Sequence, residues 1–192
     1  MRRRSGLSFS RKRRNMNEHL VKEIVSWMLH IVLAVFFAFV LVFFIGMRTG
    51  VIGVSMEDTL YSGQQVLVNR LSYLFFGPSE GDIIVFTPNG NRNTHFYVKR
   101  VVAVPGDAVC IKDGKLYVNN IIVDYGYDKI MDPGIAENEF VLDEDEYFVM
   151  GDNCNNSEDS RSGNIGSVSR DMIEGKAWFA IGNGVSFSGF IK

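Results

Sequence analysis

Histidine and cysteine are scarce in this chain of 192 residues, which has three of the first and two of the second. His19, His30 and His95 are scattered, and Cys110 and Cys154 lack the paired spacing of a metal-binding or redox motif. The sequence therefore predicts no metal site and no cofactor. A disulfide is chemically allowed outside the cytoplasm, but the distance between the two cysteines in the sequence does not predict one.

Charged residues are missing altogether from residues 24–47. A helix over these 24 residues would be about 36 Å long, against about 30 Å for the hydrocarbon core of a bilayer. A cleavable leader is the competing interpretation, but its apolar core usually has about 7–15 residues. We therefore expect a permanent transmembrane helix at residues 24–47.

The charge on the two sides of this apolar segment differs in sign. Residues 1–23 carry eight Lys or Arg and two Glu, whereas residues 48–192 carry twelve Lys or Arg and twenty Asp or Glu. The positive-inside rule predicts that the basic arm stays cytoplasmic and that residues 48–192 form an exported domain. An arm beside a membrane span favours anionic lipid over nucleic acid as its partner, and the acidic exported domain also argues against nucleic acid.

The exported part has the size of one domain and no internal repeat, and few of its segments show a helical period. Short runs rich in Val, Ile, Phe and Tyr alternate with turn signals such as Asp113-Gly114. The pattern predicts a mainly β fold, an antiparallel and barrel-like domain with a less regular acidic insertion at residues 124–145. The predicted strands cover residues 65–68, 82–86, 96–104, 108–111, 115–118, 147–150 and 177–181.

Lys99 interrupts an apolar run that extends from Phe96 to Val104. Successive side chains of a strand point to opposite faces, so Lys99 and Arg100 cannot both face solvent if one face is core. A buried ammonium either pairs its charge or has a lowered pKa, and a neutral amine is a general base. In the alternative interpretation, the stem of Lys99 lies on apolar surface and its ammonium reaches water.

Ser55 is the candidate nucleophile and follows the apolar segment by eight residues. Its hydroxyl is therefore expected near the outer membrane surface. As an isolated residue, Ser55 would be interpreted as a loop or helix-cap serine. Its neighbours in the sequence, and the segments described next, favour a catalytic role instead.

Four segments, in this order after the apolar helix, resemble bacterial type I signal peptidases, which are serine–lysine peptidases. They are Ser55-Met56-Glu57-Asp58-Thr59-Leu60, Gly81–Phe86, the run around Lys99, and Gly151–Arg161. The resemblance implies a membrane-tethered, largely antiparallel β catalytic domain that removes signal peptides from exported preproteins. It implies that Ser55 is the nucleophile and Lys99 the general base, and that cleavage follows small residues at the first and third positions before the cut.

The same resemblance implies supporting roles for four further residues. Ser157 matches the serine that positions the lysine amine, Asp159 and Arg161 match an ion pair that supports its loop, and Met56 matches a residue that lines the binding surface. The alternative for this polar loop is a tight turn with an ordinary surface ion pair.

The sequence departs from the family pattern at two positions. Asp58 stands where the family commonly has proline, which bears on the rigidity of the segment after Ser55. Gly53 stands where some members place a hydroxyl that assists the oxyanion. A backbone N–H, expected to be that of Ser55, must then carry more of the oxyanion stabilisation.

Three alternatives stay open from the sequence. A membrane-anchored β domain could bind exported chains without cutting them, but binding requires neither Ser55 nor Lys99. A self-cleaving serine–lysine protease fits an anchored, exported domain less well. His95 is a competing base, but on a continuous strand it would lie about 13 Å from Lys99, so both cannot serve one serine.

The apolar run at residues 71–76 predicts either a core strand or a surface that rests on the bilayer. No oligomeric state is predicted from the sequence.

Overall fold

The computed structural model describes residues 10–90, 95–184 and 186–191. These residues form two units, one that ends at Phe43 and one that begins at Phe44. The basic arm predicted at residues 1–23 lies partly outside the described residues, because the description begins at residue 10.

The first unit is helical. Helix α1 covers Ser10–Ile45, so it begins well before residue 24, and Met47 already belongs to a strand. Its stretch Glu18–Phe44 is 27 residues long, has a mean hydropathy of 2.7 and is not buried by the rest of the protein. An apolar helix with no protein cover is suited to an apolar solvent, and its length allows it to cross a bilayer. These properties support a membrane anchor.

The second unit is built of antiparallel strands, which confirms the predicted mainly β fold. The strands are β1 Met47–Gly50, β2 Gln65–Asn69, β3 Ile83–Phe86, β4 Tyr97–Ala103, β5 Ala108–Lys112, β6 Lys115–Val118, β7 Ile121–Val123, β8 Phe140–Val141, β9 Glu146–Met150, β10 Val168–Ser169, β11 Ile173–Ile181 and β12 Gly189–Phe190. Short 3-10 helices or turns lie at Leu71–Tyr73, Pro88–Gly90, Gly134–Glu137, Cys154–Asn156 and Arg170–Met172.

The strands form two sheets. The larger sheet has the order β1-β2-β11-β3-β4-β9-β10, with β12 paired to β11, and is curled into a half-barrel. The smaller sheet has the order β7-β6-β5-β8. Its β5–β6 hairpin turns at Asp113 and Gly114, whose φ angles of 54° and 77° are those of a primed turn, as the Asp-Gly pair predicts.

Central strands β3 and β4 have core on both faces. Ile83 and Val85 pack into one buried cluster, whereas Ile84 and Phe86, which alternate with them, pack into another. Both Lys99 and Arg100 are consequently buried, with exposed fractions of 4% and 7%. The expectation that at least one of them points inward is therefore fulfilled by both.

Two further expectations are decided by the described residues. Cys110 and Cys154 are both buried free thiols, so no disulfide joins them. The run at residues 71–76 is not a core strand: it begins with the 3-10 helix Leu71–Tyr73, and Leu74, Phe75 and Phe76 are exposed.

Candidate active site

Ser55 and Lys99 meet at the wall of a cleft of about 430 Å³. Lys99 comes from the middle of β4, and Ser55 from the turn segment between β1 and β2. Lys99 Nζ donates a hydrogen bond of 2.6 Å to Ser55 Oγ. The two residues are 44 positions apart in the chain, and the fold brings them into direct contact.

The environment of Lys99 favours its neutral form. Burial lowers the pKa of Lys99 to about 8, and the nearby carboxylates of Asp159 and Glu158 oppose this shift in part. The Tyr97 ring lies on the same face of β4, with its centre 5.8 Å from Lys99 Nζ. The direction of this shift and its main cause agree with the expectation from the apolar sequence around Lys99.

The segment that carries Ser55 is held by its apolar residues. Met56 and Leu60 are buried in the same cluster as Val85 and Val98, and the Leu60 N–H donates to the Met56 carbonyl at 2.7 Å. Asp58, on the exposed side of this turn, has a φ of 83°. Because proline requires a φ near −65°, this backbone does not accept the residue that the family commonly has at position 58.

Gly53, two residues before Ser55, also has a left-handed conformation, with a φ of 84°. A Cβ at Gly53 would meet no other atom within 4 Å, so conformation rather than space disfavours a side chain there. The Gly53 N–H points instead to Ser62 Oγ, at 3.3 Å. The oxyanion role of the Ser55 N–H stays a prediction.

The segment Gly151–Arg161 packs directly on the Ser55 turn. The Asn153 N–H donates to the Ser55 carbonyl at 3.0 Å, and Asn153 Nδ2 donates to the Val54 carbonyl at 3.2 Å. Gly151 lies at this contact, where a Cβ would overlap both Ser157 Oγ and the Ser55 carbonyl oxygen. Ser157 Oγ is buried and has no hydrogen-bond partner among the described residues, so its predicted contact with the lysine amine stays a prediction.

Asp159 and Arg161 form a buried, two-pronged ion pair, with Arg161 Nε and Nη2 at 2.8 and 2.9 Å from the two carboxylate oxygens. Asp159 also accepts the Gly151 N–H at 3.1 Å. Arg161 donates to the carbonyls of Cys154 and Asp132, which ties the segment to the acidic insertion. This pair is therefore not the ordinary surface pair of the alternative interpretation.

The competing base is not in contact with the serine. His95 lies just before β4, is exposed, and lines the same cleft. Lys99, not His95, is within hydrogen-bond distance of Ser55. A hydroxyl bonded to a buried amine of lowered pKa, open to a cleft, is an arrangement suited to nucleophilic attack on a carbonyl.

The family model described as "Signal peptidase, peptidase S26" matches residues 24–181. The chain belongs to the signal peptidase family. Signal peptidase IB of Staphylococcus aureus is 34% identical over 175 residues, which cover 82% of this chain and 89% of that protein. A probable signal peptidase I-2 of Synechocystis is 34% identical over 65% of this chain and 57% of its own.

Among solved structures, a signal peptidase I of Enterococcus faecalis is 28% identical, with a TM-score of 0.42, and the match covers 52% of this chain and 95% of that one. The resemblance stated from the four sequence segments is confirmed by the family match. The individual roles of Ser55, Lys99, Met56, Gly53 and the residues of the Gly151–Arg161 segment stay predictions.

One buried ion pair near the site was not predicted from the sequence. Arg100 binds Asp152 with Nε–Oδ1 and Nη2–Oδ2 distances of 2.8 and 2.7 Å, and both side chains are almost fully buried. Arg100 also donates to the Gly81 carbonyl and to Thr59 Oγ1. Both residues lie in the segments that carry the resemblance to signal peptidases. Their pairing could not be predicted from the sequence, because it depends on the alignment of β4 with β9.

Proposed function

We propose that the chain is a membrane-anchored serine endopeptidase that removes N-terminal signal peptides from exported preproteins, with Ser55 as nucleophile and Lys99 as general base. The observation that carries the proposal is the 2.6 Å hydrogen bond between Lys99 Nζ, buried and with a pKa of about 8, and Ser55 Oγ at a cleft. The names and the shared sequence of the Staphylococcus and Synechocystis relatives support the substrate class.

The mechanism follows from the positions of these two groups. Neutral Lys99 accepts the Ser55 hydroxyl proton as Oγ attacks the scissile carbonyl, and a backbone N–H, that of Ser55, stabilises the oxyanion. The protonated amine then gives its proton to the leaving amine, and an acyl-enzyme remains on Ser55. Neutral again, Lys99 takes a proton from water as the water oxygen attacks the ester. The C–Oγ bond then breaks, the protonated amine returns its proton to Ser55 Oγ, and the signal peptide leaves with a free carboxylate.

The supporting residues position this pair. We propose that Asp159 and Arg161 fix the Gly151–Arg161 segment so that Ser157 lies beside the dyad. Removing one partner of a buried ion pair leaves an uncompensated charge, so the segment depends on both. The role proposed for Ser157 is to orient the amine of Lys99.

The lining of the cleft supports a preference for apolar substrate side chains. Its walls include Val51, Ile52, Val54, Met56 and Val98. In an extended peptide, alternate residues point to the same side, so the first and third residues before the cut face one wall. We propose that small residues are required at both positions, and substitution of either by a bulky residue should strongly reduce cleavage.

We propose that residues 1–23 are cytoplasmic, that the β unit lies on the outer side of the membrane, and that lipid contacts the β unit as well as α1. Phe75 and Phe76 are 85% and 81% exposed. Neighbouring Tyr73 is buried, and its hydroxyl donates to Asp82 at 2.9 Å, which ties the start of this turn to the residue before β3. The Arg70 N–H, at the start of this turn, donates to the Phe44 carbonyl at 3.0 Å, where the apolar stretch ends.

The decisive experiment is cleavage of a preprotein by the full-length protein in detergent. Ser55→Ala and Lys99→Ala should each abolish cleavage, because nucleophile and base act as a unit. Ser62→Ala, a change to a nearby hydroxyl with no proposed part in the chemistry, is the matched control and should retain cleavage. Circular dichroism would establish that each variant is folded. Near-normal turnover by folded Ser55→Ala or Lys99→Ala would contradict the assignment, and a wild type that binds the preprotein without cutting it would favour a binding module.

A further inference from the structure

The cleft is lined by an exposed carboxylate, that of Glu158, which has no part in the proposed chemistry. Glu158 lies between Ser157 and Asp159 and lines the cleft together with Ser55 and Lys99. Its side chain is open to solvent, whereas Asp159 is only 1% exposed. Among the described residues that line the cleft, Glu158 and Lys99 carry the formal charges when His95 is neutral.

Glu158 is close to the dyad. Its Oε2 lies 3.4 Å from the Tyr97 hydroxyl, and the Tyr97 ring faces Lys99 Nζ. Tyr97 precedes Lys99 by two residues on one face of β4, a step of about 7 Å along the strand. The carboxylate of Glu158 therefore lies within reach of a substrate side chain about two residues from the scissile bond.

Two other carboxylates whose charge acts on Lys99 are already paired with arginines. Asp159 pairs with Arg161 at 2.8 Å, and Asp152 pairs with Arg100 at 2.7 Å, all within the protein interior. No ion pair to Glu158 is found in the part of the chain that the structure describes. Because Lys99 acts in its neutral form, it does not compensate the negative charge of Glu158. The cleft of the active enzyme therefore carries that negative charge. The field of Glu158 also reaches the dyad, because it raises the pKa of Lys99 against the larger effect of burial.

We propose that Glu158 makes the cleft selective for substrates that carry Lys or Arg, rather than Asp or Glu, within two residues of the scissile bond. This inference rests on the proposed peptidase activity. Exposed ion pairs are weak, so each charge should change kcat/KM by about two- to five-fold at low ionic strength. The preference should shrink as salt screens the interaction.

The test uses full-length protein in detergent and a neutral parent peptide with small residues at the first and third positions before the expected cut. Lys or Glu is placed singly at the second residue before the cut and at the first and second residues after it. The measured quantity is the ratio of kcat/KM for the Lys peptide to that for the Glu peptide. Wild type should favour Lys at one or more positions, Glu158→Gln should bring that ratio to about one, and Glu158→Lys should invert it.

Glu144→Gln is the matched control, because it removes an exposed carboxylate outside the cleft and changes the net charge equally. It should keep the wild-type ratio. A wild-type ratio of about one at every position, or a preference that survives in Glu158→Gln, would overturn the inference while leaving the peptidase assignment intact. Failure of wild type to cleave the neutral parent peptide would overturn the proposed function and this inference with it.

Discussion

At the scale of single residues, the protein places a titratable amine where its charge is disfavoured. Lys99 is 4% exposed and forms no ion pair with a carboxylate of the described residues, whereas its neighbour Arg100 is paired with Asp152. The protein therefore stabilises the charged form of Arg100 and disfavours the charged form of Lys99. Arg100 keeps its charge and holds structure, while Lys99 is positioned to give up a proton near neutral pH.

Activity should follow the titration of Lys99. With a lowered pKa of about 8, kcat/KM should rise about tenfold per pH unit below pH 8 and level off above it, because the neutral amine is the base. Lys99→Arg should be inactive, since a guanidinium keeps its proton at these pH values. The measurement is a pH profile with a substrate that lacks ionisable groups near the cut. A flat profile between pH 6 and 9, or substantial activity in Lys99→Arg, would exclude Lys99 as the base.

The same shift makes Lys99 unfavourable for stability. In the unfolded chain Lys99 titrates near its ordinary pKa of about 10.4, against about 8 in the folded protein. Below pH 8 both states are protonated and the folded state bears the full penalty; above the unfolded pKa both are neutral and the penalty vanishes. Lys99→Met should therefore raise the free energy of unfolding at pH 7, by up to about 3 kcal/mol, with a gain that fades as pH rises from 8 to 10.4.

Urea unfolding of the full-length protein in detergent, followed by near-UV circular dichroism at several pH values, measures this gain. Lys176→Met is a suitable comparison, because Lys176 is part-exposed and paired with Asp82 at 2.5 Å. That substitution removes a salt-bridge partner and should not stabilise the protein. Equal stability of wild type and Lys99→Met at pH 7 would contradict the penalty.

At the scale of elements, the sequence predicts what is local and misses what depends on register. Asp113-Gly114 predicts the β5–β6 hairpin because the turn needs only those two residues in a left-handed conformation. The pairing of Arg100 with Asp152 requires the alignment of β4 with β9, in which Arg100 lies opposite Met150. A bulge between Val101 and Ala103 shifts this register, and no local sequence pattern predicts the bulge.

The candidate active site likewise has features that the sequence predicts and features that depend on the tertiary fold. The four segments identify Ser55 and Lys99 as candidates through their resemblance to a family, yet the contact between them is set by the turn after β1 and by the position of β4 beneath it. The conformation of that turn also escapes sequence reasoning. From the sequence, Asp58 in place of proline suggests only that the rigidity of the turn is altered. The structure shows that Asp58 has a left-handed φ of 83°, which proline cannot adopt.

Substitutions of Asp58 should separate conformation from chemistry. Asp58→Gly should preserve or slightly increase stability, because glycine adopts this φ freely. Asp58→Pro should destabilise the protein by about 3 kcal/mol or more and lower kcat/KM, because proline cannot adopt a positive φ and the Ser55 turn must rearrange. Thermal unfolding and preprotein cleavage by the two variants measure both effects. A Pro variant as stable and active as wild type would show that the turn has another conformation.

At the scale of the whole molecule, an apolar helix and a β unit are joined through a short connection, since α1 ends at Ile45 and β1 begins at Met47. The exposed turn at Phe75 and Phe76 begins at Arg70, whose amide is bonded to Phe44. A proposed bilayer contact at this turn would give the β unit a second attachment. A turn with two exposed aromatic rings suits the interfacial region of a bilayer.

Lipid contact at this turn can be measured in proteoliposomes. A fluorophore that senses polarity is attached at Phe75→Cys, which is feasible because Cys110 and Cys154 are buried. Its emission should shift to shorter wavelength and be quenched by lipids that carry nitroxide groups. The control is the same label at Ile121→Cys, an exposed position in β7 of the smaller sheet, which should be unaffected. Identical quenching at both positions, or none at Phe75→Cys, would contradict the contact.

The glycine at position 151 has a mechanical consequence for the active site. The space that a Cβ at this position would need is taken by the Ser157 hydroxyl and the Ser55 carbonyl oxygen, and the Asn153 N–H donates a hydrogen bond to that same carbonyl. The two segments are therefore packed closely around Gly151 and joined by a hydrogen bond, so both should open in a single cooperative event. The amides of the Ser55 turn and of the Gly151–Arg161 segment should then report one free energy of opening in native-state hydrogen exchange, and the protein should lose both halves of its active site together rather than in stages.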